Sequence, residues 1–534
     1  MNQTHCEYIN YKDTGYFSKL IIDYIHQEEK IRPFYEHDIS IDGINKAIEQ
    51  RKKFATHRNI LVEQLRKQYQ AIELNDLQKK NIESLLHENT FTICTAHQPN
   101  IFTGPLYFIY KIVHAIKLAD ELNKLVPENH FVPVFYMGSE DADKDELGHI
   151  TVSGEKLTWN TTQKGAVGRM KVDKNLLLLI DRLAGELGVL PFGNDLIAMF
   201  RKAYSEGTSI QEATLYMVNE LFKEFGLLVI IPDNADLKRL FNPVIKKELQ
   251  EQFSHPLVKL TNEKLGTDYK VQAVGRDLNL FYLLNEHRER IEKSGDAYFV
   301  KALGLSWLNE EMLGEVETHP DRFSANVILR PLFQEAILPN VVFIGGAGEI
   351  AYWLELKKVF EAVDIPYPML LLRNSFLQIT NQQKTKVENM GFVTADFFKE
   401  EKTLQDILTI SSTKNQIDIS KEMDELQAWY NKMAVLAEKV DVTLKDHTHA
   451  LKTKAIEKIG GLQKKMLRKE KKKISEDIHR LHLLKQDLFP NNSLQERVEN
   501  FSFFYAKYGK DWLKNLYATS LTIEQHFALS FIEE

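Results

Sequence analysis

Apolar residues recur at helical spacing through NKAIEQRKKFATHRNILVEQLRKQY and its flanks, so residues 1–90 are predicted to form an N-terminal helical segment packing on the core. Strand character first appears in FTICTA, 91–96. That run passes into HQPNIFTG and then into PLYFIYKIVHAIKLADELNKL, an amphipathic helix that Pro105 can open as its first residue. FVPVFYMG, 131–138, is a second strand, and together these segments make a right-handed βαβ unit. The pattern recurs. GLLVIIPD, 226–233, leads into a helix from about Asn234; VVFIGG, 341–346, leads into GEIAYWLELKKVFEAV; PMLLLR, 368–373, supplies a further strand. A mostly parallel sheet with helices on both faces follows, the α/β class.

The core is predicted to span 91–415, with inserts at about 155–215 and 255–325. Within them, KLTWNTTQKGAVGRMKVD (156–173) and YKVQAVGRDLNLFYLLNEHRERI (269–291) read as short strands with turns. Beyond it the period changes. Met423, Leu426, Met433, Leu436 and Val440 fall at three-, four- and seven-residue steps. After a break near VDVTLKD, a second stripe runs from Leu451 through Ile459, Leu462 and Met466 to Ile478 and Leu481. Two long helices with narrow apolar seams predict an antiparallel coiled-coil arm over 416–490, weakened locally at Gly460 and Gly461. Residues 491–534 are read as a C-terminal helical segment.

Composition narrows the class. A hydrophobic share of 43%, a charged share of 27% and a net charge of −7 describe an ordinary soluble chain without a general pull toward nucleic acid or an anionic membrane. No apolar run approaches the roughly 20 residues needed to span a bilayer, and the polar start lacks a secretion pattern. Two cysteines, Cys6 and Cys94, allow neither a disulfide framework nor a zinc–thiolate site. A cytoplasmic protein is expected.

Three segments carry candidate chemistry. TAHQPNIFTGP (95–105) joins the first strand to its helix, where open α/β sheets bind ligands and helix N-termini attract anions. Thr95, His97, Gln98, Asn100 and Thr103 could meet a nucleotide phosphate there, and Gly104 would allow close approach. Class I aminoacyl-tRNA synthetases place a histidine- and glycine-containing loop at this junction to grip ATP. An ordinary loop with His97 as helix cap fits equally well. Glu140, Asp141, Asp143, Asp145 and Glu146 crowd five carboxylates into seven positions, able to bind an amine, position magnesium or act as a base, or simply to be solvated. Gly345, Gly346 and Gly348 precede Glu349 at a helix start, and just upstream lie Arg330, Gln334 and Glu335. That turn could face a phosphate or carboxylate, and Arg330 could fork onto a carboxylate or pair with Glu335. KKMLRKEKKK (464–473) is a solvated coil face or a phosphate- or nucleic-acid-binding stripe. Cys94, inside an apolar strand, reads as core.

Jointly, FSKLIIDYI, IRPFYEHD, TAHQPNIFTGPLYFIYKI, FVPVFYMGSEDADKDE, FSANVILRPLFQEAILPNVVFIGGAGEIAYWLELKKVF and LFPNNSLQERVENF resemble, in order and over nearly the whole chain, the cysteine-adding ligases of bacillithiol biosynthesis, the BshC family. The resemblance implies a Rossmann-type core akin to class I synthetases, connective-peptide inserts and a coiled coil that makes a homodimer. It also implies the last step of the pathway, an amide between cysteine and the amine of glucosaminyl malate. Two positions depart from the family pattern. Thr95-Ala96-His97-Gln98 stands for the frequent Thr-Gly-Gln-Gln, and Glu140-Asp141-Ala142-Asp143 for the usual Glu-Asp-His-Asp. His97 is the candidate to replace the missing histidine.

These readings give a C–N bond-forming ligase that activates the cysteine carboxylate with ATP, an assignment by analogy, with magnesium as the ion ATP would bring. His97, Glu140, Asp141 and Asp143 are the candidate catalytic residues. Thr95, Asn100, Thr103, Gly104, Gly345, Gly346, Gly348 and Glu349 are the candidate nucleotide-site residues, and Gln98, Arg330, Gln334 and Tyr352 the substrate-site residues. No resident metal site is expected. The other reading is a nucleotide-binding dimeric scaffold or regulator of thiol metabolism without ligase activity.

Overall fold

The computed structural model describes residues 6–533, so Met1–His5 and Glu534 of the predicted terminal segments lie outside it. The chain divides into two compact units. One comprises Tyr16–Leu377 and Ser493–Ser530 with the described residues up to Lys12; the other is built on Gln378–Asn492.

In the first unit, five strands form one sheet: β1 (Thr90–His97), β2 (His130–Met137), β3 (Leu228–Ile230), β4 (Asn340–Gly345) and β5 (Met369–Leu372). Their order is β5-β4-β1-β2-β3 and every pairing is parallel, as the unbroken apolar runs predict for strands covered on both faces. Pro133 sits inside β2, yet β3 begins to pair only at Val134, so its missing N–H leaves no gap in that ladder. Thr92 and Thr95 stitch β1 to β4 through Asn340 Oδ1 at 3.2 Å and the Ile344 carbonyl at 2.8 Å.

The crossover helix α1 (Tyr107–Leu125) begins two residues later than the proline rule suggests. The C-terminal segment lies across its start: the Glu499 carbonyl accepts from Leu106 N–H at 2.8 Å, and Pro105 bridges Asn500. Helix α2 (Ala235–Arg239) follows β3 where a helix is predicted, and Asn234 caps it. Helix α3 (Arg330–Ile337) leads into β4, and α4 (Ala347–Trp353) leaves it. The predicted helix over GEIAYWLELKKVFEAV is broken after Trp353, where the buried Glu355 carboxylate turns inward to accept from Gln272 and Ala273 N–H at 2.6 and 2.9 Å. The first insert is largely helical, with strands limited to His149–Val152 and Glu155–Thr158. The second carries the hairpin Leu280–Leu284/His287–Arg290, extended by Phe323–Ala325. Residues 493–530 contain three short helices, and the strand Phe527–Ile532 pairs with Cys6–Ile9 through Ser530.

The second unit holds the arm: α5 (Ser420–Glu438), α6 (Val442–Lys473) and α7 (Ser475–Leu488). Residues 439–441 join α5 to α6 as an antiparallel pair, and Asp441 caps α6 by accepting from Thr443 N–H at 2.8 Å. Gly460 and Gly461 do not interrupt α6, which spans 32 residues, about 48 Å. The unit starts near Gln378 rather than 416, because Glu401–Ser412 packs on α6 and α7. None of its helices, nor any other among the described residues, is long and apolar enough to cross a membrane.

Candidate active site

From β1 the chain moves outward through β2 and β3, then returns to place β4 on the other side of β1. Loops leaving β1 and β4 therefore diverge, and open parallel sheets form their ligand crevice at such a reversal. A cleft of about 830 Å³ lies there.

Its floor is charged. The Lys111 side chain reaches back from α1 to donate to the Ala96 carbonyl at 2.9 Å and to pair with Glu349. Burial pulls its pKa down, with Glu349 opposing. Glu349 also accepts from its own helix start, Gly346 N–H, at 2.8 Å. Arg373, beyond β5, forks onto buried Glu496 at 2.8 and 3.0 Å, while its buried Nε has no hydrogen-bond partner among the described residues. Beside these cations stands His97, edge-on to Tyr107 and Phe108, its Nε2 buried and without a hydrogen-bond partner among the described residues. Burial, then the charges of Lys111, Arg330 and Arg373, hold the His97 pKa well below its ordinary value. The imidazole therefore favours its neutral form.

On the rim, Arg330 lies 3.6 Å from Asp141, and Gln98 Nε2 donates to the same carboxylate oxygen at 3.1 Å. Burial alone would raise the Asp141 pKa; Arg330 and the Gln98 bond outweigh it and keep Asp141 ionised. Burial likewise opposes the Arg330 charge, but Tyr352 and Asp141 fix it as a cation. Burial pushes the Tyr352 hydroxyl up to about 12.

The cleft thus brings together His97, Gln98, Asp141 and Arg330 with Gln334, Tyr352 and the Gly346, Gly348 and Glu349 turn. The other candidates lie elsewhere. Glu140 points inward, paired with buried Lys238 and accepting from Ser324 Oγ at 3.3 Å. Asp143 accepts from Glu146 N–H at 3.1 Å as the cap of a single helical turn. Thr95 gives its hydroxyl to β4. Asn100, Thr103 and Gly104 are sealed off by Asn500, whose amide donates to the Phe102 and Gly104 carbonyls at 2.9 and 2.5 Å. Gly104 has φ +67°, and a Cβ there would come within 2.8 Å of Asn100 Cβ, so glycine serves the turn. Gly345 is enclosed at the end of β4, where a Cβ would meet the Phe343 ring at 2.9 Å. Lys111 and Arg373 were not foreseen as site residues. Lys111 had left a signal, a lone charge in the apolar run PLYFIYKIVHAI. The second insert adds Arg276, Arg288 and Arg290.

Comparison with known proteins adds the family. Residues 4–374 match the model described as bacillithiol biosynthesis BshC, N-terminal Rossmann-like domain, and 376–532 its C-terminal coiled-coil domain. A Flavobacterium johnsoniae protein named "Putative cysteine ligase BshC" is 40% identical over 521 residues, covering 97% of this chain and 98% of its own. One of the same name from Christiangramia forsetii is 37% identical over 533 residues, covering 98% of each. Among solved structures, the "putative arginyl t-RNA synthetase" of Campylobacter jejuni aligns over 84% of this chain and 98% of its own at 10% identity, with a TM-score of 0.23, too low to bear on the site. With both domains matched in order over nearly the full length, the chain belongs to the BshC family of bacillithiol biosynthesis, a family of ligases.

Proposed function

We propose that this cleft joins the carboxylate of cysteine to the amine of glucosaminyl malate, the last step of bacillithiol assembly, in the cytoplasm. The observation that carries the reading is the juxtaposition, at the sheet's reversal point, of an ionised carboxylate, a neutral histidine and several cations. Asp141 orients the incoming amine. His97, uncharged and with Nε2 free, accepts the proton that the amine nitrogen sheds as the C–N bond forms. Arg330 and Tyr352 hold a malate carboxylate, a task suited to a guanidinium fork. Lys111, Arg373 and the Gly346–Glu349 turn face the same space and would hold the cysteine carboxylate, with ATP in the same cleft. A phosphoryl or adenylyl group passed from ATP to that carboxylate would make one of its oxygens a leaving group, expelled as phosphate or AMP when the amine attacks. The cations fit anionic groups, and the Leu106 N–H just before α1 is already taken by the Glu499 carbonyl.

We also assign the arm to a homodimer. Trp429 and Leu436 of α5 are 54% and 55% exposed, and Leu451 and Leu462 of α6 are exposed too, leaving an apolar surface for a second arm.

The test is a reconstituted reaction followed by mass spectrometry. ATP consumption should require both cysteine and glucosaminyl malate and should yield their amide. Turnover indifferent to the amino sugar would overturn the assignment in favour of a nucleotide-binding scaffold.

A further inference from the structure

Seven Lys and Arg side chains line the cleft against three carboxylates, in a chain whose net charge is −7. The carboxylates do not balance them. Asp141 is engaged by Arg330 and Gln98, and Glu349 by Lys111 and its own helix start. Arg276, Arg290 and Arg497 have no ion-pair partner among the described residues.

Three of the arginines come from the second insert, and the sequence explains how two of them share a wall. In HRER, 287–290, strand alternation puts Arg288 and Arg290 on one face, and the register sets Phe281 opposite Arg290 on that same face. The Arg288 guanidinium lies 3.9 Å over the Phe281 ring. Its Nε donates to Ser324 Oγ at 3.1 Å and its Nη2 to the Ala325 carbonyl at 3.3 Å, which leaves Nη1 for a ligand. This orientation is braced from behind. Ser324 Oγ donates onward to Glu140, Glu140 pairs with buried Lys238, Lys238 lies 3.0 Å from Asp233, and Asp233 takes the Arg169 fork at 2.6 Å. Such bracing is absent from an ordinary solvated arginine. Like charges aligned on one wall repel one another and focus positive potential, a condition that clustered anionic oxygens relieve.

We infer that Arg276, Arg288 and Arg290 form a second anion subsite, carried by the insert and not by the elements that hold Arg330 and Arg373, that binds clustered phosphate or carboxylate oxygens. In the ligase reading, on which this rests, the occupant is the phosphate chain of the nucleotide, and Glu140 is a positioning residue acting through Ser324 on Arg288. The competing source of the same chemistry is the dicarboxylate of the amine substrate.

Titration calorimetry of the full chain at low salt, with tripolyphosphate and with L-malate as separate probes, tests the subsite. Arg288→Gln/Arg290→Gln should weaken tripolyphosphate about a hundredfold and leave malate within a few-fold, since each charge-assisted fork lost weakens binding by at least about tenfold. Exposed Arg276→Gln, which touches no core, should weaken it about tenfold and keeps the test valid if the double variant misfolds. Loss of malate binding with tripolyphosphate retained would keep the subsite and reassign it to the dicarboxylate. Unchanged affinity for both probes in the variants would overturn the subsite while leaving the cleft assignment standing. A wild-type chain that binds neither probe would bring down the cleft assignment itself.

Discussion

Replacing His97 by alanine separates a proton acceptor from a structural ring. The folded state loses little. Nε2 makes no hydrogen bond, so none is lost, and the ring's edge-on contacts are to Tyr107 and Phe108 at 5.3 and 5.7 Å. Aromatic pairs of this kind contribute about 0.5–1.5 kcal/mol each, so destabilisation of roughly 1–3 kcal/mol and a fall of a few degrees in melting temperature are expected. The catalytic loss should be larger, because a positioned base contributes on the order of 10²–10⁴ in rate. Turnover should therefore fall at least about a hundredfold, with KM for both substrates nearly unchanged. His97→Gln should fare no better, since it keeps a polar group but no basic nitrogen. The pH profile gives an independent reading. His97 acts unprotonated and its pKa lies well below the ordinary 6.5, so wild-type kcat stays level from pH 8 down to 6.5 and falls only at more acidic pH. Amide product measured by mass spectrometry from pH 5 to 8, beside thermal unfolding of each variant, decides the matter. A His97→Ala enzyme within threefold of wild type, or one retaining the acidic limb, refutes the base role.

Three further outcomes are expected. His114 is buried between the Thr522 carbonyl and Asn374 N–H, and burial takes its pKa from 6.5 to about 4. The folded state thus resists a proton that the unfolded chain accepts. Stability is full above pH 6.5 and declines toward pH 4 by about 3 kcal/mol, and urea midpoints should show a shallower decline in His114→Gln. Lys238→Met strands Glu140 without its cation and should destabilise the chain by about 3–5 kcal/mol, partly recovered by Glu140→Gln. An unchanged urea midpoint would contradict that account of Glu140. Finally, Trp429→Glu with Leu451→Glu should give monomers by light scattering, and a persistent dimer would move the interface away from the arm.

Most of the sheet is readable from one-dimensional pattern because its strands are buried on both faces. FTICTAH and NVVFIG leave no polar alternation to confuse the period, and glycines mark where β4 stops. The arm was readable for a similar reason, its heptad-like steps being local. Legibility fails where the deciding partner is distant. Pro105 looks like the first residue of a helix until Glu499 and Asn500, some four hundred positions later, take up the backbone around it. The unit boundary slipped because Leu404 and Leu408 show that Glu401–Ser412 has a buried face without showing which unit buries it. The acidic run fails more instructively. Glu140, Asp141 and Asp143 are neighbours of identical chemistry, yet the turn sends one inward to Lys238, one to the cleft and one to a helix cap. Side-chain direction in a turn follows from φ and ψ, which a run of carboxylates does not specify.

The two loops at the sheet's reversal point bear on why the cleft is rich in arginine. In many open α/β sheets the first crossover helix offers free N–H groups to an anion. Here Leu106 N–H is spent on Glu499, the preceding loop is closed by Asn500, and α4 is capped by its own Glu349. One backbone donor at each loop of the sheet's reversal point, Leu106 N–H and Gly346 N–H, is thus committed within the protein. Side chains then carry much of the anion binding, and the cations come from five places: α1, the end of β5, the start of α3, the second insert and the C-terminal segment. The second insert then does more than extend the sheet domain, since it furnishes three of the cleft's cations. Lysine would not serve equally at 288, because the site uses a planar group that stacks on Phe281 while donating in its own plane to Ser324 and Ala325.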